Sequence, residues 1–335
     1  VRTSNDRGTG ESRVRGSAGR SELGRAADRL ADHPDGGELA FAVRRVLADR
    51  AREPRRLRIA RGGGVDLGRP VAMGILNVTP DSFSDGGKWL DPRAAVAHGL
   101  ALASAGAGIV DVGGQSTRPG AEEVGEAEEI ARVLPVVEAL VASPGFTTPI
   151  SIDTSRSEVA RRTLAAGASI VNDVTGLSGD PGMAEVVAAS GAGLVVMHIQ
   201  GTPRTMQDDP KYEDLMGEVT AVLREAIHVA ELAGVDPEAI AVDPGIGFGK
   251  TLGHNLEILR RLGELRSLGR PIAVGTSRKS FLGRLTGRAP DARAFGTAAS
   301  VALAVAGGAS IVRVHDVAEM VDVVAVAAAI LGGPT

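Results

Sequence analysis

Polar and charged residues close a series of short apolar runs in this chain: Asn77, Asp111, Asp153, Asn172, His198, Asp243, then Ser277, Arg278 and Lys279, then Arg313 and His315. Fixed carboxylates and carboxamides of this kind are the acceptors and donors that a flat heterocycle with amine and amide edges requires. Lys279, Arg313, His315 and the single arginine of the loop at residues 113–120 (GGQSTRPG) supply cations, which suits an anionic leaving group such as diphosphate. Each residue alone has a bland explanation. Asp153-Thr154-Ser155 could cap the next helix, and His198 could be a hydrogen-bonded core histidine. Capping does not explain why all eight runs end this way.

Composition narrows the chemistry. The 335 residues carry a net charge of -4, which gives no case for a nucleic-acid partner. Cysteine is absent, so disulfides, thiolate nucleophiles and cysteine-ligated zinc are excluded together. The 6 histidines are scattered with no metal-ligand spacing among them. The most apolar stretch, residues 297–312, contains two glycines, runs into Arg313 and is shorter than the ~20 residues a bilayer needs. The N-terminus has no apolar core of a signal peptide. A cytoplasmic protein is expected.

The length allows one barrel of ~250 residues plus an extension. Residues 1–55 are rich in Arg, Asp, Glu, Gly and Ser and cannot bury enough apolar surface to offset ordering, so a flexible extension is expected there. Within it, residues 39–50 (LAFAVRRVLADR) could form one short amphipathic helix. From residue 56 to 335 the pattern changes. LRIARGGGVDLG predicts a hairpin turning at Gly62–Gly64. Eight strand patterns follow: VAMGILN, IVDVGG, PISID, SIVNDV, GLVVMHI, IAVDPG, PIAVGTS and SIVRVHD. Helical patterns near 92–106, 126–142, 156–167, 183–190, 212–233, 253–268, 292–307 and 317–331 alternate with them, with stops at Gly106, Gly167, Gly191, Gly234 and Gly269. This is the count of an α/β fold of the (β/α)8 TIM-barrel kind, whose active site lies on the loops after the strands. An open doubly wound sheet is the alternative, but it usually has fewer strands and one dominant Gly-rich crossover.

Strand alternation sharpens the candidates. Arg313 and His315 share a face and point to the barrel mouth if Ile311 lines the interior. Met197 shares the inner face with Val195, which turns His198 outward and makes Met197 the better pocket residue. GIGFGKT (residues 245–251) looks like a phosphate loop but fails the pattern, which needs Gly where Pro244 stands.

The motifs MGILNVTPDSFSDGG, DVGGQSTRPGA, SIDTS, NDV, DPGIGFGKT, GTSRKSFLG and VRVHD occur in this order. With them the region from about Leu57 to the C-terminus resembles the dihydropteroate synthase family of pterin-binding enzymes. The resemblance implies a TIM barrel and a transferase of folate biosynthesis. That enzyme joins p-aminobenzoate to 7,8-dihydropterin-6-ylmethyl diphosphate, with Mg²⁺, and releases diphosphate.

The resemblance also implies residue roles. Asp153, Asn172, Asp243 and Lys279 hold the pterin edge, and Met197 and Gly275 pack its pocket. Arg313 stacks on the pterin and meets the diphosphate. Asn77 helps hold Mg²⁺, while His315 and Thr117 bind diphosphate oxygens. Arg118, Pro119, Phe248, Lys279 and Ser280 surround the aminobenzoate. Phe83 and Asp85, in the loop LNVTPDSFSDGG, close over the reacting atoms. Arg313, His315, Lys279 and Asp85 are the catalytic set. An arylamine is a nucleophile without prior deprotonation, so the barrier lies in carbon–oxygen cleavage, and a dissociative substitution is expected. Gln115 stands where the family often has Glu, which puts the charge of that loop in doubt. The last two helical patterns are apolar beyond the face a barrel needs, and a homodimer through them is expected. A pterin-binding methyltransferase would share the pterin contacts without needing Arg313-x-His315. A silent folate-binding homologue would not need the diphosphate residues.

Overall fold

A computed structural model describes residues 2–5, 12–15, 20–31, 37–51, 55–79, 92–115, 124–202 and 204–332. The chain divides into two units, Val1–Glu53 with Ser267–Gly269 and Pro54–Arg266 with Arg270–Thr335. In the first, β1 (Arg2–Asn5) pairs antiparallel with β2 (Ser12–Arg15), and α1 (Arg20–Ala31) packs on α2 (Gly37–Ala51). The helix predicted over residues 39–50 lies within α2. Large apolar groups are scarce here, and among the described residues the buried ones are small, Ala27 and Ala40.

The second unit begins with the predicted hairpin. β3 (Arg56–Arg58) pairs antiparallel with β4 (Gly64–Asp66), with Leu57 opposite Val65. The eight strand patterns become β5 (Val71–Asn77), β6 (Ile109–Gly113), β7 (Ile150–Asp153), β8 (Ile170–Asp173), β9 (Gly193–Met197), β10 (Ile240–Asp243), β11 (Ala273–Gly275) and β12 (Ile311–Val314). All pair in parallel in one eight-stranded sheet. A bridge between Val242 and Ile272 joins the two ends of the sheet and closes it into the expected barrel.

Alternate side chains of these strands face inward. Met73, Ile109, Ile170, Val195, Ala241, Ala273 and Ile311 form the lowest inner layer, and Leu57, Ile59, Val65 and Leu67 of the hairpin pack against them. The hairpin therefore plugs the barrel at the N-terminal ends of its strands. Burying Leu57 alone, which is fully buried, is worth about 1.5–3 kcal/mol relative to leaving it in water.

The helices are α3 (Pro92–Ser104), α4 (Glu126–Ala142), α5 (Ser157–Ala166), α6 (Met183–Ser190), α7 (Leu215–Leu232), α8 (Leu252–Arg261), α9 (Ser280–Thr286), α10 (Ala294–Ala306) and α11 (Val317–Ile330). Gly167 and Gly191, two of the predicted stops, take φ of 126° and 62° and cap α5 and α6 with backbone N–H bonds. In the first unit α1 and the β1–β2 pair lie where a flexible extension with one short helix was expected, and two features of the second unit depart from expectation. The helix predicted over 253–268 stays α-helical only to Arg261 and tightens to a 3-10 turn over Leu262–Leu268, where Gly263 weakens the α-helix. α9 is additional to the eight predicted helices. Among the described residues no helix is long and apolar enough to cross a membrane.

Candidate active site

Two residues beyond the lowest layer, the inner face of the strands turns polar. It carries Asp111, Asp153, Asn172, Met197, Asp243, Gly275 and Arg313, near the C-terminal ends of the strands. Arg313 satisfies the condition set by the sequence, because Ile311 does line the interior. Its guanidinium forks between two carboxylates: Nε donates to Asp111 Oδ2 at 2.6 Å and Nη2 to Asp153 Oδ2 at 2.6 Å. Asn172 Nδ2 donates to the same Asp111 oxygen at 3.2 Å. Asp111 is fully buried and thus orients side chains from both β8 and β12. Its other carboxylate oxygen has no hydrogen-bond partner among the described residues. The family motifs give Asp111 no role. Alternation holds the signal, since Asp111 lies two residues past Ile109 as Arg313 lies two past Ile311.

Burial and mutual attraction set the charges of this layer. Burial pushes the Asp153 carboxyl up to about 7, with Arg313 opposing. It also raises Asp243, against the Gly245 N–H, which donates to Asp243 Oδ1 at 2.7 Å, and against the Lys279 charge. Lys279 is pushed down to about 7 by burial, with Asp243 opposing. Burial also works against charge on Arg313, but Asp111 and Asp153 outweigh it and hold the guanidinium above its ordinary range. The layer is a coupled set of three carboxylates and two cations within a barrel interior of low polarity.

Lys279 and Phe248 come from different loops and meet. Lys279 Nζ lies 4.1 Å from the centroid of the Phe248 ring and donates to Ile246 O. Ser280, the first residue of α9, is exposed beside them in sequence. Gly275 leaves open the space beside Arg313, where a Cβ would come to 3.7 Å from the Arg313 side chain. His315 is fixed from both its backbone and its ring: its N–H donates to Ser277 Oγ at 3.2 Å, and Nδ1 lies 3.0 Å from the same oxygen. Arg278, between Ser277 and Lys279, takes a left-handed φ of 57° and pairs with Asp316, Nε to Oδ2 at 3.1 Å.

Met197 is buried on the inner face. His198 is also buried, and its Nδ1 lies 2.8 Å from Lys250 Nζ. Its ring centroid is 6.0 Å from that of Tyr212. It is a partnered core histidine, the bland alternative. Lys250 is buried as well, so the Gly-rich run before it does not present its lysine as a phosphate loop would. Gln115 Oε1 accepts from Arg156 Nη1 at 3.1 Å, and Arg156 also pairs with the buried Glu129. The root of the second loop is thus tied down with Gln in place.

Asn77 is half-buried at the end of β5. Its Oδ1 and Asp153 Oδ2 lie 3.8 and 3.7 Å from where a Cβ on Gly113 would stand, so both oxygens border one small space. Among the described residues no three His, Cys, Asp or Glu side chains gather as a metal cage. Magnesium commonly takes one or two protein oxygens and completes its shell with water and substrate phosphates. The Asn77 amide oxygen fits that kind of site. Phe83, Asp85, Thr117, Arg118 and Pro119 lie outside the described residues.

Residues 73–315 match the family of pterin binding enzymes. The dihydropteroate synthase of Escherichia coli (strain K12) is 48% identical over 272 residues, covering 81% of this chain and 95% of the relative. A solved structure of Xanthomonas albilineans dihydropteroate synthase with 4-aminobenzoic acid superposes with a TM-score of 0.77 at 46% identity, over 83% of this chain and 100% of that one. The same enzyme in complex with 7,8-dihydropteroate gives a TM-score of 0.74 at 44% identity, again over 83% and 100%.

Proposed function

The chain belongs to the dihydropteroate synthase family of pterin-binding enzymes, and from that membership we propose how its barrel mouth condenses 7,8-dihydropterin-6-ylmethyl diphosphate with p-aminobenzoate. The observation that carries the assignment of roles is the fork of Arg313 between Asp111 and Asp153, level with Asn172, Asp243 and Lys279. Asp153, Asn172, Asp243 and Lys279 face the amine and amide edge of the pterin, and Met197 packs its ring. Gly275 leaves room for the ring beside Arg313, whose plane stacks on it and whose remaining N–H groups meet the diphosphate. Phe248, Lys279, Ser280, Arg118 and Pro119 form the aminobenzoate subsite.

In the reaction the arylamine nitrogen forms a bond to the exocyclic methylene, the bond from that carbon to the diphosphate oxygen breaks, and the amine loses a proton. The carbon–oxygen bond breaks ahead of nitrogen attack, a dissociative substitution. Arg313, His315 and Thr117 stabilise the departing negative charge. Ser277 holds the His315 ring for this task. Asp85 and Phe83 close over the reacting atoms and exclude water. Mg²⁺, held by Asn77 with the substrate oxygens, would supply further neutralisation of the diphosphate.

The active unit is a homodimer through α10 and α11. Phe295 and Leu303 of α10 are 89% and 64% exposed, and Val326 and Ile330 of α11 are 60% and 80% exposed, an apolar surface that a second copy would cover. The test of the reaction is diphosphate release with the pterin diphosphate alone and then with p-aminobenzoate added. Dihydropteroate and stoichiometric diphosphate are expected when both are present. Equal release without the arylamine would reject the synthase assignment.

A further inference from the structure

The loop between β10 and α8 is held by side chains along its whole length. Ile246 O accepts from Lys279 Nζ, and Gly247 O from Gln207 Nε2 at 2.9 Å. Phe248 O accepts from Lys250 Nζ at 2.8 Å, and Gly249 O from the Tyr212 hydroxyl at 2.7 Å. Asn255 accepts the Gly247 N–H at 2.7 Å and donates to Thr251 O at 2.8 Å. Backbone carbonyls withdrawn from water need protein donors. Here four in succession each have a different side-chain donor.

Lys250 is the hub of this arrangement. It is 3% exposed, where lysine is almost never found without a paired carboxylate. No ion pair binds its ammonium among the described residues. Its three donors instead face Phe248 O, His198 Nδ1 at 2.8 Å and His198 O at 3.4 Å. Burial lowers Lys250 to about 7, with Asp243 opposing, and burial and the Lys250 charge lower His198 to about 3, which leaves the imidazole neutral; Nδ1 accepts in the tautomer that carries its proton on Nε2. Burying an ammonium is costly, and the attraction of Asp243, which makes no ion-pair contact with it, offsets only part of the burial effect. A methionine of similar length would fill the volume without that cost. What the lysine alone supplies is a tie from the end of β9 to the carbonyl of Phe248.

We propose that Lys250 is a positioning residue of the aminobenzoate subsite: by tying Phe248 O to His198, with Gln207 and Tyr212 holding the flanking carbonyls, it fixes the Phe248 ring beneath the Lys279 ammonium. This rests on the placing of Phe248 in that subsite. Lys250 itself touches no substrate. It acts on the outer subsite through the loop; the pterin residues Asp153 and Asn172 stand on β7 and β8, away from the tie, while Asp243 meets it through the His198 N–H on its carbonyl at 2.9 Å and through attraction to the Lys250 charge.

The experiment is steady-state kinetics on the full-length enzyme with Mg²⁺, varying each substrate in turn. The variants are Phe248→Ala, Lys250→Met, Gln207→Ala and the Phe248→Ala/Lys250→Met pair. Lys250→Met is expected to raise KM for p-aminobenzoate at least ~10-fold, about 1.4 kcal/mol, while KM for the pterin diphosphate moves less than ~3-fold. In the Phe248→Ala background the same change should add little, because the ring it positions is gone. Equal rises in both KM values, or full additivity in the pair, would overturn the proposal and leave Lys250 a general stabiliser. If Lys250→Met does not fold, Gln207→Ala decides, since Gln207 is exposed and its loss removes one clamp of the same loop. A selective rise in the aminobenzoate KM is then expected, and an unchanged value overturns the proposal. An unchanged aminobenzoate KM in Phe248→Ala would instead reject the subsite itself.

Discussion

Replacing Arg313 with lysine separates charge from geometry. The guanidinium makes two contacts of 2.6 Å, one to Asp111 and one to Asp153. Those carboxylates belong to different strands, β6 and β7. A lysine ammonium keeps the positive charge but concentrates it at one compact point, so it lacks the fork that spans Asp111 and Asp153 and has no plane to lay on a pterin. A hydrogen bond between charged groups contributes about 1.5–3 kcal/mol, so losing one of the two sets the scale. The fixed orientation towards the diphosphate goes with it. Turnover over affinity for the pterin diphosphate should fall ~10- to 100-fold, about 1.4–2.8 kcal/mol of transition-state stabilisation. The assay is steady-state kinetics with saturating Mg²⁺ and p-aminobenzoate. His315→Gln should lose less, because glutamine still offers a donor to the diphosphate and an acceptor to Ser277. Wild-type kinetics for Arg313→Lys would refute the two-role assignment and make Arg313 one of several interchangeable charges.

Asp243→Asn would keep its oxygen on the Gly245 N–H and turn an amide donor towards the pterin N–H groups. Pterin diphosphate affinity should weaken by about 1–3 kcal/mol with the melting temperature little changed, and calorimetric titration showing unaltered affinity would remove Asp243 from the site. Lys279 titrates near 7 in the folded protein, below a free lysine, so the unfolded chain binds the extra proton and stability rises with pH from about 7 towards the ordinary lysine range. Binding that needs the ammonium is lost over the same rise. KM for p-aminobenzoate should therefore increase above about pH 7, and Lys279→Arg should abolish that alkaline limb; a limb that survives in the variant has another origin. Phe295→Glu together with Leu303→Glu should give a monomer in sedimentation at micromolar concentration, and a wild-type chain that sediments as a monomer would count against the dimer.

Strand order and inner-face pattern were open to reading because parallel barrel strands are short apolar runs bounded by loops, and β5 to β12 all fall within the runs identified. The hairpin over LRIARGGGVDLG was legible from its glycine turn. α9 was not, because seven residues with Gly283 among them show no helical period. Within the site, Arg313, His315 and Met197 followed from alternation alone. Asp111 and Arg313 are 202 residues apart in the chain, and only the pairing of both β6 and β12 with β5 makes them neighbours. Lys250 escaped for a different reason. Rejecting the Gly-rich run before it as a phosphate loop left its lysine without a role, and its burial beside the ring and carbonyl of His198, just beyond β9, has no local signal.

The plug formed by Leu57, Ile59, Val65 and Leu67 closes the N-terminal end of the barrel, so among the described residues the polar layer opens only towards the C-terminal ends of the strands. Whatever occupies the layer of Asp111, Asp153 and Asp243 reaches it from the C-terminal ends of the strands, the side on which Phe248 and Ser280 lie. Traffic through one opening would impose a sequence: the deeper molecule is expected to enter first, and fresh pterin to follow only after the outer position has cleared. A molecule lodged only at the outer position then does more than compete for its own place. It detains what lies beneath, so its presence should lengthen the residence of the buried pterin as well as exclude the arylamine.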